Sequence, residues 1–141
     1  MDPEYSDRLL RTVRTAATPQ AVLHAAYDAI IRGDFAAFAE SVTEDVELSI
    51  RGFGPLDGTW RGRADVVAAT RKNFAEIDSQ QPEIEGVICE GNSAAVLIRE
   101  NGVFKSTGQS YSVRGVQWFT FADGKIQKID EILASIWKIE N

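Results

Sequence analysis

The amino-acid sequence predicts an α+β domain in which helices come first and an antiparallel sheet follows. Apolar residues recur at helical spacing in the first third of the chain and alternate with polar residues through most of the second half. Segments that contain glycine or proline separate these stretches, as is typical of connections between elements. The chain has 141 residues, 44% of them hydrophobic, which suits one domain built around a single core.

A leading helix is predicted at the start of the chain. Asp2-Pro3 can begin it, because aspartate is a good N-cap and proline is tolerated in the first turn. Apolar residues then recur at helical spacing as far as about Ala17. We therefore divide the chain into a leading helix or arm over residues 1–17 and a single domain over residues 18–141.

Two further helices are predicted before the first strand. Thr18-Pro19 repeats the start signal and opens one helix, which Gly33 ends. Its apolar residues fall on one side at about 100° per residue; they are Leu23, Tyr27, Ile30 and Ile31. Asp34 caps the next helix, which Thr43-Glu44-Asp45 closes. The apolar face of that helix contains Phe35, Phe38, Ala39 and Val42.

The first strand is predicted where Val46, Leu48 and Ile50 alternate with polar residues, a period of two that is typical of a half-buried strand. These three side chains should face the core. A loop rich in glycine over residues 52–58 and a short extended piece over residues 59–61 follow. The next helix should cover residues 62–77, and its inward residues are Val66, Val67, Thr70 and Phe74.

Four long strands are predicted in the second half of the chain. Residues 79–82 should break the preceding helix, because they are polar and end in a proline. Asp123-Gly124 is a strong hairpin signal between the last two strands. The predicted strands cover residues 83–90, 94–104, 109–121 and 125–139.

Charge and composition exclude several classes of function. Fifteen basic and 21 acidic residues give a net charge of −6, which repels the phosphate backbone of nucleic acids. The N-terminus lacks the basic start and apolar run of a secretory signal, and no apolar run is long enough to span a membrane. We therefore expect a cytoplasmic protein without nucleic-acid or membrane partners. The lone Cys89 and the single histidine favour neither a disulfide nor a metal site, and no cofactor motif is present.

Four local patterns stand out along the chain; they are Gly33–Phe38, Thr43–Leu48, Gly58–Arg63 and Gln117–Ile126. Together they resemble the nuclear-transport-factor-2-like superfamily. Their order and spacing match over residues from about 19 to 137. The resemblance implies a cone-shaped fold in which helices pack in the concave face of a strongly curved antiparallel sheet and enclose an apolar pocket for a small ligand. The superfamily includes ketosteroid isomerases, SnoaL-like polyketide cyclases, limonene-type epoxide hydrolases, scytalone dehydratase and many non-catalytic modules, so the site must decide the function.

Ketosteroid isomerisation is not expected from these residues. A ketosteroid isomerase needs a carboxylate base on the first strand, and an acid with a tyrosine to stabilise the enolate. By resemblance, Ile50 occupies the position from which the base would project. Glu47 cannot replace it, because its side chain should point to the opposite face of the strand. The acid would fall near Gln117, which can donate a hydrogen bond but cannot transfer a proton.

Two other chemistries of the superfamily could use Glu131. An epoxide hydrolase resembles this chain at Arg99-x-Asn101 and Glu131, where asparagine replaces one acid and could place a water for the glutamate to activate. A SnoaL-like cyclase or isomerase needs only one acid or base beside an apolar pocket. Because side chains of a strand alternate between its two faces, Glu131 lies on the same face as the apolar Ile129 and Leu133, which should face inward. The structural alternative is that Glu131 forms an ion pair with Arg99.

Further candidates surround this acid. Tyr27 lies at the centre of an apolar helix face, where it either packs in the core or takes part in catalysis. His24, the only histidine, flanks that face and is a natural base near neutral pH, although such a residue is often a bystander. Trp60 either borders the pocket mouth or belongs to the core. Ile50 and Phe119 should line the pocket with Gln117.

Three hypotheses therefore remain open. The protein is a cofactor-free pocket enzyme (an isomerase, cyclase, lyase or hydrolase acting on a small apolar carbonyl or epoxide compound), a non-catalytic ligand-binding module, or a dimerising domain with a vestigial pocket. A homodimer is expected in each case, because the resemblance implies one and because Val116 and Trp118 should leave an apolar patch on the outer sheet face.

Overall fold

A computed structural model describes residues 18–135 of the chain. The predicted leading helix over residues 1–17 and the end of the predicted last strand over residues 136–139 lie outside the described residues, so both stay predictions. The elements in chain order are α1 (Pro19–Ile31), α2 (Phe35–Glu40), β1 (Val42–Arg51), β2 (Gly58–Arg61), α3 (Arg63–Glu76), β3 (Ile77–Glu90), β4 (Ser93–Phe104), β5 (Ser110–Ala122) and β6 (Lys125–Ser135).

The six strands form one strongly curled sheet in the order β2-β1-β6-β5-β4-β3, with the three helices packed against it. The predicted α+β fold with a curved sheet around the helices is confirmed. One pair departs from the predicted antiparallel arrangement, because β1 and β6 run parallel while the other pairs run antiparallel. These two strands are far apart in sequence, so no tight turn between them dictates an antiparallel direction.

Local side-chain chemistry fixes both ends of α1. The Thr18 hydroxyl accepts a hydrogen bond from the Ala21 backbone N–H at 3.1 Å. At the other end Gly33 adopts a φ of +72°, and the Asp34 N–H donates to the Ala29 carbonyl at 2.8 Å, as in a Schellman motif. Ile31 belongs to the predicted apolar face but is 62% exposed, because it lies at the end of this face where the helix stops. The buried residues of the helix are Val22, Leu23, Ala26 and Ala29.

The boundary between α2 and β1 lies earlier than predicted. Asp34 caps α2 as expected, with its carboxylate accepting from the Ala37 N–H at 3.1 Å. The helix ends at Glu40, however, and Val42 already pairs with Ile126 of β6. The segment over residues 43–45 therefore belongs to the strand. A register shift between Val42 and Glu47 accommodates it, so helix propensity yields to strand pairing at this point.

The concave face of the sheet carries the residues that the alternation predicts. Val46, Leu48 and Ile50 are 0%, 4% and 4% exposed, and Phe119 and Phe121 on β5 are buried on the same face. This register is confirmed, and it matters for the site because a slip of one residue would turn every side chain of β1 to the other face.

The predicted break over residues 79–82 is wrong. These residues belong to β3, which follows α3 directly and begins at Ile77. An irregularity between Asp78 and Gln81 interrupts its pairing with β4, and Ser79 adopts a φ of +52° there. The polar composition therefore marks a bulge within a strand and not a loop.

Two groups of buried apolar residues flank a space under the helices. The larger group joins α1, α2 and α3 to the sheet and includes Leu23, Phe38, Val46 and Phe119. The smaller group includes Phe104 and Tyr111, whose rings lie 4.9 Å apart between centroids. None of the three helices within residues 18–135 is long and apolar enough to cross a membrane.

Candidate functional site

A cavity of about 170 Å³ lies between the helices and the concave face of the sheet. Its walls are mostly aliphatic and aromatic, as is usual for small-molecule sites. The apolar lining includes Leu23, Ile50, Phe53, Phe119 and Ile129. Its polar groups come from α1, α3, β3, β4, β5 and β6, which converge on this space because the sheet curls around it.

Glu131 ends a short chain of hydrogen bonds that starts on α1. Gln117 on β5 and Glu131 on β6 are direct cross-strand neighbours on the concave face. The Gln117 amide donates to Oε1 of Glu131, and the Tyr27 hydroxyl donates to Oε1 of Gln117. The Tyr27 ring packs edge-on against Phe119, with 6.1 Å between centroids. Three polar groups from three elements are thus fixed on one wall of the cavity.

The environment of Glu131 disfavours its charged form. Burial raises the pKa of this carboxyl from 4.5 to about 7, the hydrogen bond from Gln117 opposes the shift, and the charge of Glu100 adds to it. Burial, followed by the neighbouring Glu131, raises the pKa of the Tyr27 phenol, which therefore stays protonated as a donor. Near neutral pH both forms of Glu131 are populated, as proton transfer requires.

Glu100 is a second carboxyl in the same cavity, and sequence reasoning missed it. It is only 7% exposed. Its Oε2 accepts from the Tyr111 hydroxyl at 2.6 Å, and its Oε1 accepts from Nε2 of Gln80 at 2.8 Å. The alternation of the strand puts Glu100 on the same face of β4 as Val96 and Ile98, but only the structure shows that this face is the buried, concave one.

The profile of the SnoaL-like domain family matches residues 23–129, which contain most of the cavity lining. The chain belongs to this family.

This SnoaL-like domain is similar to several proteins at modest sequence identity. An uncharacterised protein of the fission yeast Schizosaccharomyces pombe is 28% identical over 111 residues, which cover 74% of this chain and 83% of that protein. The crystal structure of a nuclear-transport-factor-2-like protein from Burkholderia xenovorans has a TM-score of 0.70 at 26% identity, covering 79% of this chain and 86% of the other. A candidate SnoaL-like polyketide cyclase from Jannaschia has a TM-score of 0.67 at 20% identity, covering 79% and 82%.

Five of the residues selected from the sequence meet in the cavity of this SnoaL-like domain. Tyr27, Gln117 and Glu131 form the hydrogen-bonded chain, and Ile50 and Phe119 contribute apolar wall. The placement of the four strand residues follows from the strand register, which puts alternate residues of β1, β5 and β6 on the concave face.

Arg99 and Asn101 do not reach the cavity, contrary to the prediction. Both lie on the outer sheet face, since the inward residues of β4 have even numbers. Arg99 pairs with Glu85, with 3.6 Å between Nε and Oε1, and Asn101 accepts from the Ser112 hydroxyl at 2.7 Å. The ion pair between Arg99 and Glu131, which was the structural alternative for this glutamate, is therefore absent. So is the epoxide-hydrolase arrangement that combined Arg99, Asn101 and Glu131.

His24 and Trp60 also lie away from the cavity lining. His24 is exposed on α1, because it lies about 100° around the helix from the buried Leu23. Trp60 packs against the larger core group from the edge strand β2, opposite Leu48. Of the two alternatives left open for Trp60, core packing is the one observed.

No metal site is formed by the part of the chain that the structure describes, since no group of three or more His, Cys, Asp or Glu residues there is arranged to hold an ion. Cys89 is a free and exposed residue of β3.

Proposed function

We propose that this SnoaL-like domain binds a small apolar carbonyl compound in the cavity. Glu131 acts as the general base and acid that takes a proton from this compound and returns it. The observation that supports the proposal is a carboxyl with a pKa raised to about 7, held by Gln117 on the wall of an apolar cavity. Titratable groups with perturbed pKa values in clefts are frequent at catalytic sites. The assignment to the SnoaL-like family supports this class of chemistry without fixing the ligand.

The proposed reaction begins with the ionised form of Glu131. Its carboxylate removes a proton from the carbon next to the carbonyl group, and the C–H electron pair moves to form an enolate. The Tyr27 hydroxyl, which donates to Gln117 in this structure, lies on the same wall and can turn its hydrogen bond to the enolate oxygen. Where the carbonyl compound carries a neighbouring C=C bond, the enolate is conjugated, and Glu131 returns the proton to the far carbon, which completes an isomerisation. Otherwise the enolate carbon attacks a second carbonyl group of the ligand, and the resulting alkoxide takes the proton back from Glu131, which completes a cyclisation.

Ile50 argues against a reaction that needs a second base on β1. It lines the cavity and is buried. By resemblance, this is the position where a ketosteroid isomerase would carry its carboxylate. The proposed chemistry therefore relies on one proton carrier from β6, and ketosteroid isomerisation remains unexpected.

The proposal is tested by following the exchange of carbon-bound hydrogen for deuterium in small ketones. Acetophenone and cyclohexanone in D₂O would be followed by NMR with the wild-type protein and with the Glu131→Gln variant. We expect Glu131→Gln to slow the exchange next to the carbonyl group by about 100-fold or more, the usual loss when a general acid or base is removed. Asp130→Asn is the matched control, because it removes a carboxyl one residue away that pairs with Arg51 on the outer face.

The outcome separates an enzyme from a binding module. Binding of the ketones without any protein-dependent exchange would contradict catalysis and leave a ligand-binding domain. Equal exchange rates for the wild type and Glu131→Gln would remove Glu131 from the mechanism.

A further inference from the structure

We infer that Glu100 forms a second polar end of the cavity and selects ligands that carry a hydroxyl or ammonium donor at the end opposite to the carbonyl group. This inference rests on the proposed function and specifies which carbonyl compounds fit.

The two carboxyls are carried by backbone positions that lie far apart on the concave face of the sheet. Gln117, which holds Glu131, lies opposite Val96 of β4, and Glu100 follows four residues later on the same strand. Four residues of extended strand span about 13 Å. The intervening residue on that face is the buried, apolar Ile98, which also lines the cavity. A ligand that reaches both ends therefore has an apolar body with a polar group at each end.

Glu100 retains capacity to accept hydrogen bonds. A carboxylate offers about four lone-pair sites, and Tyr111 and Gln80 occupy two of them. Among the described residues, those that line the cavity include no lysine, arginine or histidine. The partners of this carboxylate are thus neutral donors, so a ligand hydroxyl or ammonium group can bind it and an anionic group is repelled.

Backbone and packing hold this end of the cavity in place. Ser79, with a φ of +52°, lies in the irregular part of β3 directly before Gln80. This local backbone geometry turns the side chain of Gln80 towards Glu100. The Tyr111 ring packs against Phe53, with 5.0 Å between centroids. It also lies so close to Gly102 that an added Cβ would come within 2.6 Å of its hydroxyl oxygen. Both donors to Glu100 are therefore fixed before a ligand arrives, which limits the entropy lost on binding.

The volume of the cavity limits the size of the ligand. About 170 Å³ accommodates one substituted ring, and rings of Tyr27, Phe53 and Phe119 line the space. The class that fits is an aromatic or alicyclic carbonyl compound with a hydroxyl or amino substituent across the ring.

Three acetophenones test the inference, because they share one body and differ only in the para substituent. The substituents are hydroxymethyl, hydrogen and carboxylate, and binding to the wild-type protein would be titrated by NMR near neutral pH. We expect the hydroxymethyl compound to bind about tenfold more tightly than acetophenone, as a hydrogen bond to a charged acceptor allows. We expect the carboxylate compound to bind at least about tenfold more weakly than acetophenone, because its charge would be buried near Glu100. Similar affinities, a reversed order or no binding of any probe would overturn the inference.

Two variants test whether Glu100 is the residue that selects among these ligands. Glu100→Gln keeps the size of the side chain and removes its charge, so the affinity ratio between the hydroxymethyl and carboxylate probes should shrink about tenfold or more. Glu83→Gln removes a carboxyl that faces outward, opposite Arg99, and should keep the wild-type ratio. A lower melting temperature for Glu100→Gln with an unchanged ratio would mean that Glu100 is purely structural, and would overturn the inference.

Deuterium exchange into the ligands, measured in the same samples, distinguishes failure of this inference from failure of the proposed function. Exchange that depends on Glu131, together with equal affinity for the three probes, would overturn selection by Glu100 and leave the proposed function in place. The expected order of affinities without any exchange would support the selection and contradict catalysis.

Discussion

Ionisation of Glu131 lowers the stability of the folded protein. Its carboxyl is buried beside apolar wall, with the charge of Glu100 in the same cavity. In the unfolded chain the pKa is ordinary, whereas in the folded protein it is about 7. Such a cost is common where function requires a group to be poised between two protonation states.

The stability of the protein should therefore fall between about pH 4.5 and pH 7. In this window the folded state holds the proton of Glu131 after the unfolded state has lost it, so the free energy of unfolding decreases as pH rises. The contribution is roughly 3 kcal/mol over the full window. Urea denaturation of the wild type and Glu131→Gln at several pH values measures it.

We expect the stability of Glu131→Gln, relative to the wild type, to increase with pH across this window, because glutamine carries no proton to lose. Asp130→Asn serves as the control and should keep the wild-type slope. A constant difference between Glu131→Gln and the wild type from pH 4.5 to pH 8 would show that the pKa of Glu131 is not raised by folding.

At the scale of elements, a close approach between β5 and β6 supports the site. Gly115 lies on the concave face of β5, two residues before Gln117. A Cβ at this position would come within 2.1 Å of the Ile132 carbonyl oxygen and 2.8 Å of the Leu133 Cα. The strands can curl this tightly only because residue 115 has no side chain, and the curl directs Gln117 and Glu131 into the cavity.

Gly115→Ala should consequently destabilise the protein by about 1–3 kcal/mol through forced backbone shifts, as overpacking usually does. Gly86→Ala is the matched control in an edge strand, since an added Cβ there meets nothing within 4 Å and its φ is not in the left-handed region. The control should change stability by less than about 1 kcal/mol in either direction. Chemical denaturation compares the two, and equal effects would show that β5 and β6 can separate without cost.

At the scale of the whole molecule, the outer face of the sheet carries an apolar patch. Ile88, Trp118 and Ile132 are 73%, 46% and 54% exposed. Ile88 and Trp118 lie in one row, on either side of Ala95, and Ile132 lies opposite Val116 in the neighbouring row. Exposed apolar surface of this kind marks interfaces, and a second copy of the chain is the partner that we propose.

Light scattering at micromolar concentration tests this homodimer. We expect a mass of twice 15.5 kDa for the wild type. Trp118→Glu should shift the protein towards the monomer, because it places a charge in the middle of the proposed interface. His24→Glu changes an exposed residue of α1 and should leave the dimer intact. A wild-type mass of 15.5 kDa would contradict the proposal.

The sequence by itself determined those features that depend on neighbours along the chain. Thr18 and Asp34 cap their helices with their own side chains, and Gly33 ends α1 because a left-handed residue is needed there. The alternation of Val46, Leu48 and Ile50 fixed the face of β1, and the shared parity of Ile129, Glu131 and Leu133 placed the candidate acid in the cavity. These features need only local geometry and the period of the strand.

The tertiary structure alone decided features that depend on distant partners. Period-two alternation tells which residues of β4 share a face but does not tell which face is concave, and curling of the sheet turned Glu100 inward and Arg99 outward. The bulge at Ser79 kept residues 79–82 within β3 and brought Gln80 to Glu100. The parallel pairing of β1 with β6 joins segments about 80 residues apart. A pairing between segments so distant in the chain depends on the arrangement of the whole sheet and not on residues that are neighbours in sequence.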